Sequence, residues 1–437
     1  MNVLGGLRVL ALVLLAALSL FILFSPAAQP LRHAVFDAYQ RFFPLERTTS
    51  PAIIVAIDEE ALRRYGQWPW PRTRVAELVQ RISELQPAAI AFDIFFPEPD
   101  RFSPGAMAAE LPILTTELRR ALAGMPSTDS VFADTIRGRD VVLGISGETY
   151  LDPRFPSPPS APPIVRAPQV DKMLRAYVGH IRSIDIIDAA AESRGLMNSG
   201  PADQVVREVP LVANVQGALV ASLGAEALRV ASGQGMRIAP RPAGLLELRF
   251  GQIVTTLQDT GLTWLRFGHH DANRFVLAHD VLERKVDPET FKNKVVLVGV
   301  SGIGVLDYKT TPLGEFVPGV EIHAQVVENL FNGVTLTRGG IATRIEAGAL
   351  LACGFILIVF VPRLSALQGI HLAFGLVVLL VGGGVLSFLH LDMLLDPAWP
   401  AIGTLAVFGS VVVGTLSETE RQRRQLRDQA AHMAGEV

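Results

Sequence analysis

The residues of this chain best placed to do chemistry are carboxylates near the ends of apolar runs. Asp58 closes PAIIVAID (51–58), Asp93 lies within PAAIAFDIFF (87–96), and Asp307 follows the glycine-rich loop after KVVLVGVS (294–301). Open α/β sheets form ligand crevices beyond the C-terminal ends of their parallel strands, so these three are expected to converge there, Asp58 and Asp93 from neighbouring strands. Three converging carboxylates would suit a cation or a ligand amine. The same residues would also serve to cap turns or to pair with arginines such as Arg72. Trp68 and Trp70, flanked by Pro69 and Pro71, would either wall a pocket or pack against the sheet. His323, near Glu321 in the first turn of an expected helix, is a ligand or a hydrogen-bonded packing residue. The ligand-binding candidates are therefore Asp58, Trp68, Arg72, Asp93, Asp307 and His323.

The sequence contains no G-x-S-x-G nucleophile elbow, no H-E-x-x-H helix and no P-loop. Gly299, Gly302 and Gly304 are followed by Leu306, Asp307 and Tyr308 rather than at once by a helix, which argues against a phosphate cradle. His323 and Glu321 alone are too few ligands for a metal. No catalytic residue, metal or cofactor is expected. A carboxylate pair used as general acid and base leaves an exported hydrolase as a remote alternative.

Composition narrows the class. Of 437 residues, 49% are hydrophobic and only 19% charged, with a mean hydropathy of +0.35; a folded domain mixed with apolar spans is implied. The formal charge of −3 and the lack of a basic patch with interleaved aromatics give no basis for binding nucleic acid. Cys353 is the single cysteine, so no disulfide can form within the chain.

Four spans frame the domain. Residues 9–28 form the first expected transmembrane helix after a cytoplasmic 1–8, or else a signal peptide cleaved near Ser25-Pro26-Ala27-Ala28. Residues 31–340 read as one α/β domain, in which Val75, Leu78, Val79, Ile82 and Leu85 give helix spacing between two strands, a βαβ unit. A third strand is expected at 140–146, an extended surface excursion in the proline-rich 150–168, and a helix at 218–233. LLELRFG and LTWLRFG are expected to pair and extend the sheet. Spans follow at 345–361, 367–389 and 397–416, where Gly348, Gly354, Gly375 and Gly382–Gly384 would allow close helix approach. The arginine-rich 417–437 and the Pro362-Arg363 turn should face the cytoplasm, and the Asp392–Asp396 loop the outside; Arg338 and Arg344 dissent mildly. In the tail, Leu426, Ala430, Met433 and Val437 fall at a/d spacing, consistent with a homodimeric stalk over Arg421–Val437 or with a solvated helix anchored at lipid headgroups.

With these elements placed, IVAIDEEALRRYGQWPWPR (54–72), AIAFDIFFPEPDR (89–101), DQVVREVPL (203–211) and the 294–333 stretch with its TTPLG and PGVEIHA blocks resemble the CHASE type 2 sensor family. The resemblance covers roughly residues 35–415. It implies an extracytoplasmic α/β sensor with a mainly parallel sheet, plus four transmembrane helices, in a bacterial inner membrane, with the sensor in the periplasm. Family receptors carry adenylate or guanylate cyclase or kinase modules after the last span, and the tail is similar to the linker before a cyclase. The alternative is a stand-alone sensor or regulator that contacts a separate kinase or cyclase. The expected partners are membrane lipid, a second copy of the chain, and an unknown extracytoplasmic ligand or protein.

Overall fold

The computed structural model describes residues 3–199, 205–302 and 307–435. Gly304 and Leu306 of the glycine-rich loop, and the Met433 and Val437 side chains of the tail seam, lie outside the described residues. The chain divides into two units, Phe43–Thr337 and a helical one made of its flanks, Met1–Phe42 with Arg338–Val437.

The Phe43–Thr337 unit is built on a seven-stranded sheet. Its strands are β1 (Ala52–Ile57), β2 (Ala89–Phe92), β3 (Val141–Glu148), β4 (Gly179–Ile181), β5 (Ser193–Leu196), β6 (Phe275–Leu277) and β7 (Val295–Val300). The order runs β6-β1-β7-β2-β3, with β5 parallel to β3 and only β4 antiparallel. Every residue of β1 and β2 is buried, as expected where helices cover both faces of a parallel sheet.

The two faces follow the pleat. Ala52, Ile54, Ala89, Ala91 and Leu297 join one core, with α4 (Leu223–Ser232) and α5 (Gly319–Phe331). Ile53, Val55, Ile90, Phe92 and Val298 join the other, with α1 (Glu59–Tyr65), α2 (Arg72–Glu84) and α3 (Thr128–Ile136). The helix spacing of 75–85 is realised in α2, whose Val75, Leu78, Val79 and Ile82 are buried. Helix α5 stops at Phe331, and Gly333, at φ +66°, takes the left-handed position past its end.

Three expectations are corrected here. Strand β7 lies between β1 and β2, so Asp58 and Asp93 leave strands that are not neighbours. The expected helix at 218–233 begins as a strand, Ala218–Ala221, paired with Val212–Val215, and turns helical only after Ser222 caps α4. LLELRF (245–250) does not pair with LTW (262–264): it lies between 236–241 and 253–258 in a separate four-stranded sheet, and LTW pairs with 208–210. Alternation specifies which face a strand buries but not its partner, and the tight turns Ala243-Gly244 and Gly251 (all at positive φ) make the local hairpins the shorter closure.

In the helical unit, Gly340–Arg363, Ala366–His390 and Ala398–Ala431 are long and apolar enough to cross a membrane. Val9–Phe24 and Pro26–Phe42 pass the same test only together and are bent by 86° at their junction. Of the expected close-approach glycines, Gly354 meets Leu15 and Gly384 meets Tyr39, whereas Gly348, Gly375, Gly382 and Gly383 face open space. Arg338 donates to both carboxylate oxygens of Glu346 at 2.8 and 3.0 Å, and Arg32 lies 3.8 Å from the same group. Arg338 is thus paired within the bundle, whereas Arg344 donates to the Gly340 carbonyl at 3.1 Å.

Candidate functional site

At the C-terminal edge of the sheet, each candidate carboxylate has a local partner. Asp58 caps α1, its Oδ1 accepting from the Ala61 N–H at 2.9 Å, with His279 Nδ1 3.9 Å away. Asp93 faces Nε2 of His323 at 3.5 Å, both side chains buried. Asp307, largely exposed, pairs with Lys309 at 2.7 Å. Its carbonyl accepts from the Gly319 N–H, and a β-carbon on Gly319 would collide with its carboxylate. Its charge therefore sits at the amino end of α5, where the helix dipole favours an anion. Among the described residues no three histidine, cysteine, aspartate or glutamate side chains are grouped to hold a metal ion.

The WPWPR and FDIFFPEPDR blocks meet in a second cluster. Trp70 is fully buried, and its Nε1 donates to the Gly66 carbonyl at 2.8 Å; Trp68, half-buried, packs edge-on against it at 6.1 Å. Arg72 lies 4.3 Å from the centre of the Phe96 ring, with Nε 3.5 Å from Asp129 Oδ1. Asp100 joins them, accepting from the Arg72 backbone N–H at 2.8 Å and from the Thr128 hydroxyl at 2.6 Å. Burial lowers the proton affinity of Arg72 against the pull of Asp100 and Asp129. Burial likewise raises the Asp129 carboxyl, against a backbone hydrogen bond from Asp100 and the charge of Arg72. The prolines and tryptophans thus fix a turn against buried ions.

The third cluster lines α5. Residues 319–330 are all buried although five of them are Glu321, His323, Gln325, Glu328 and Asn329, so each polar group needs a partner. Gln325 accepts from the Gly268 N–H at 3.1 Å and donates to its carbonyl at 3.3 Å. Asn329 does the same to Arg266 one turn on, at 3.0 Å each way. The two amides bind residues 266–268 much as a neighbouring strand would. Arg274, 1% exposed, donates to Glu328 and Glu321, while His270 meets Glu321 at 2.7 Å and Arg47 meets Glu328 at 3.0 Å. Burial pushes the Glu321 carboxyl up, against the pull of His270 and Arg274. The Arg47 hydrogen bond pulls Asp271 down.

A groove of about 720 Å³ opens at the opposite, N-terminal edge of β1, β2 and β7, bordered by Pro51, Ala88 and Val295. None of the six sequence candidates lines it.

The family model of the CHASE2 domain matches residues 10–362. The chain belongs to the CHASE2 domain family. No curated protein and no solved structure matches it. CHASE2 domains are extracellular sensors of signals, and no catalytic domain is found in this chain. Within this CHASE2 domain, sequence reasoning missed Arg47, Asp100, Asp129, Arg274 and Glu328. One signal was available for Glu328: it follows Glu321 by seven residues, on the same face of the expected helix, and buried carboxylates on one face require cations.

Proposed function

We propose that the chain is the sensing and membrane-spanning part of a bacterial receptor. The CHASE2 domain would lie in the periplasm and the chain would cross the inner membrane four times, with the N-terminus and the Arg421–Val437 tail in the cytoplasm. The observation that carries this reading is the succession of a CHASE2 match over 10–362 by long apolar helices ending in an arginine-rich helical tail. A signal received by the domain would shift the bundle, and a homodimer formed through the spans and the tail would set an output. Adenylate or guanylate cyclase is the proposed output, and a separate kinase or cyclase contacted by the tail is the second reading.

Topology is tested with Cys353→Ser carrying one new cysteine at a time. Ser365→Cys and Ser417→Cys should react with an impermeant maleimide only after the inner membrane is opened, and Asp392→Cys and Ser127→Cys before. Labelling of Ser417→Cys from outside would sink the four-crossing scheme. Deleting the gene should change the cellular cyclic-nucleotide level. An unchanged level together with altered phosphorylation of a kinase that co-purifies with the tail favours the second reading.

A further inference from the structure

The groove at the N-terminal strand edge combines two properties that identify a ligand class. Its walls are apolar, from Leu228 of α4, Phe250 and Val254 of the four-stranded sheet, and Leu330 and Phe331 of α5. Val254 and Phe331 remain 42% and 55% exposed, and large side chains left open inside a concave surface mark binding grooves. The volume of about 720 Å³ falls in the usual range for small-molecule sites, roughly 300–1,000 Å³.

The second property is an unanswered charge. Lys294, half-buried at the start of β7, lines the groove. Its ammonium has no hydrogen bond or ion pair among the described residues, whereas Lys285, Lys292 and Lys309 each hold a carboxylate. No aspartate or glutamate lines the groove. A cation set beside an apolar wall without a counter-charge is complementary to a molecule with an apolar body and one anionic end.

We propose that this groove binds a single-chain acyl carboxylate, with the chain along Leu228, Phe250 and Leu330 and the carboxylate on Lys294. The position bears on signalling. Thr49–Pro51, which lead into β1, and Gly333, which follows α5, both border the groove, and the Thr49 hydroxyl donates to Asn332 at 2.8 Å. An occupant would therefore touch both chain segments through which the domain joins the rest of the protein. That consequence rests on the sensor reading; binding itself does not.

The full chain in lipid nanodiscs would be photolabelled with a diazirine-bearing dodecanoate and the modified peptides identified by mass spectrometry. Labels are expected within 250–254 and 330–331, chased by excess dodecanoate but not by dodecanol. Lys294→Gln should weaken binding about ten-fold, the worth of one charge-assisted hydrogen bond. Ala231→Trp, which fills the groove from α4, should abolish labelling while the far-ultraviolet circular dichroism melt stays as in the wild type. Labels confined to the membrane helices, or equal chase by dodecanol, would overturn the proposal even if neither variant folded. Groove labelling in a receptor whose cyclic-nucleotide output ignores dodecanoate would uphold the site and count against its part in sensing.

Discussion

Arg274 and Glu328 face each other through two parallel hydrogen bonds, Nε to Oε1 and Nη2 to Oε2, both 2.9 Å, with both side chains buried. Geometry of this kind makes each partner costly to remove alone, because the other is left as an uncompensated buried charge. Arg274→Ala should destabilise the CHASE2 domain by about 3–5 kcal/mol. Hydrogen exchange across 319–331 reads it: protection of α5 should fall before that of β1 or β2. Unchanged protection would show that the pair contributes nothing net.

Asp129 predicts a pH dependence. Its carboxyl is raised above the ordinary value of 3.8 by burial, so the folded state holds the proton more tightly than the unfolded chain. The contribution to stability is greatest below pH 3.8 and declines as pH rises from there to the raised value. Asp129→Asn removes that decline. Relative to the wild type, the melting temperature of the variant should rise as pH is raised above 3.8. A constant difference there would mean that Asp129 titrates normally.

Gly299 shows how closely β7 and α5 pack. A β-carbon there would lie 2.6 Å from the Val320 β-carbon, so the strand and helix would have to separate. Gly299→Ala should cost about 1–3 kcal/mol through overpacking. Gly105→Ala, with nothing within 4 Å of the new carbon, is the matched control. Denaturant midpoints of the two variants should differ in that order.

Trp70 and Trp68 should separate just as clearly. Trp70→Ala empties a fully buried site and should cost about 3–5 kcal/mol. Trp68→Ala, at a half-buried position, should cost less. Equal thermal shifts would indicate that Trp68 is buried by a partner in solution.

Glu346 can be tested through the single cysteine. It holds Arg338, and its Oε1 also accepts from the Asp396 backbone N–H at 2.7 Å; Cys353, two turns along the same helix, is buried. Glu346→Ala leaves Arg338 without its carboxylate and Arg32 with only Asp396, 3.9 Å away. Alkylation of Cys353 by a membrane-permeant maleimide should quicken, about ten-fold for each 1.4 kcal/mol by which the bundle is loosened.

The strands β1, β2, β3 and β7 and the helix α2 were legible because burial on both sheet faces leaves continuous β-branched runs, and a one-sided helix leaves 3.6 spacing. The strand order was not legible, since no periodicity records that β7 enters between β1 and β2. The Arg47, Arg274 and Glu328 cluster escaped for a related reason: its members are dispersed over 47–328 and become neighbours only once the sheet has closed. Trp68 and Arg72 were read as ligand-binding candidates, and their surroundings show packing around buried ions. Lys294, which opens the 294–333 stretch, was read only as the start of a strand.

The position of β7 has a consequence for how the domain is made. Among the described residues, strand β1 pairs with β6 and β7 alone, whose residues begin at 275 and 295. If the domain is exported amino end first, as proposed, β1 would cross the membrane and stay without either partner while more than two hundred residues follow. Contacts so distant in sequence are slow to form, and an unpaired apolar strand is the segment most open to aggregation in the meantime. Export of this domain would place its greatest demand on chaperones outside the membrane before residue 275 emerges, and truncations that end short of it should accumulate as insoluble or degraded chains.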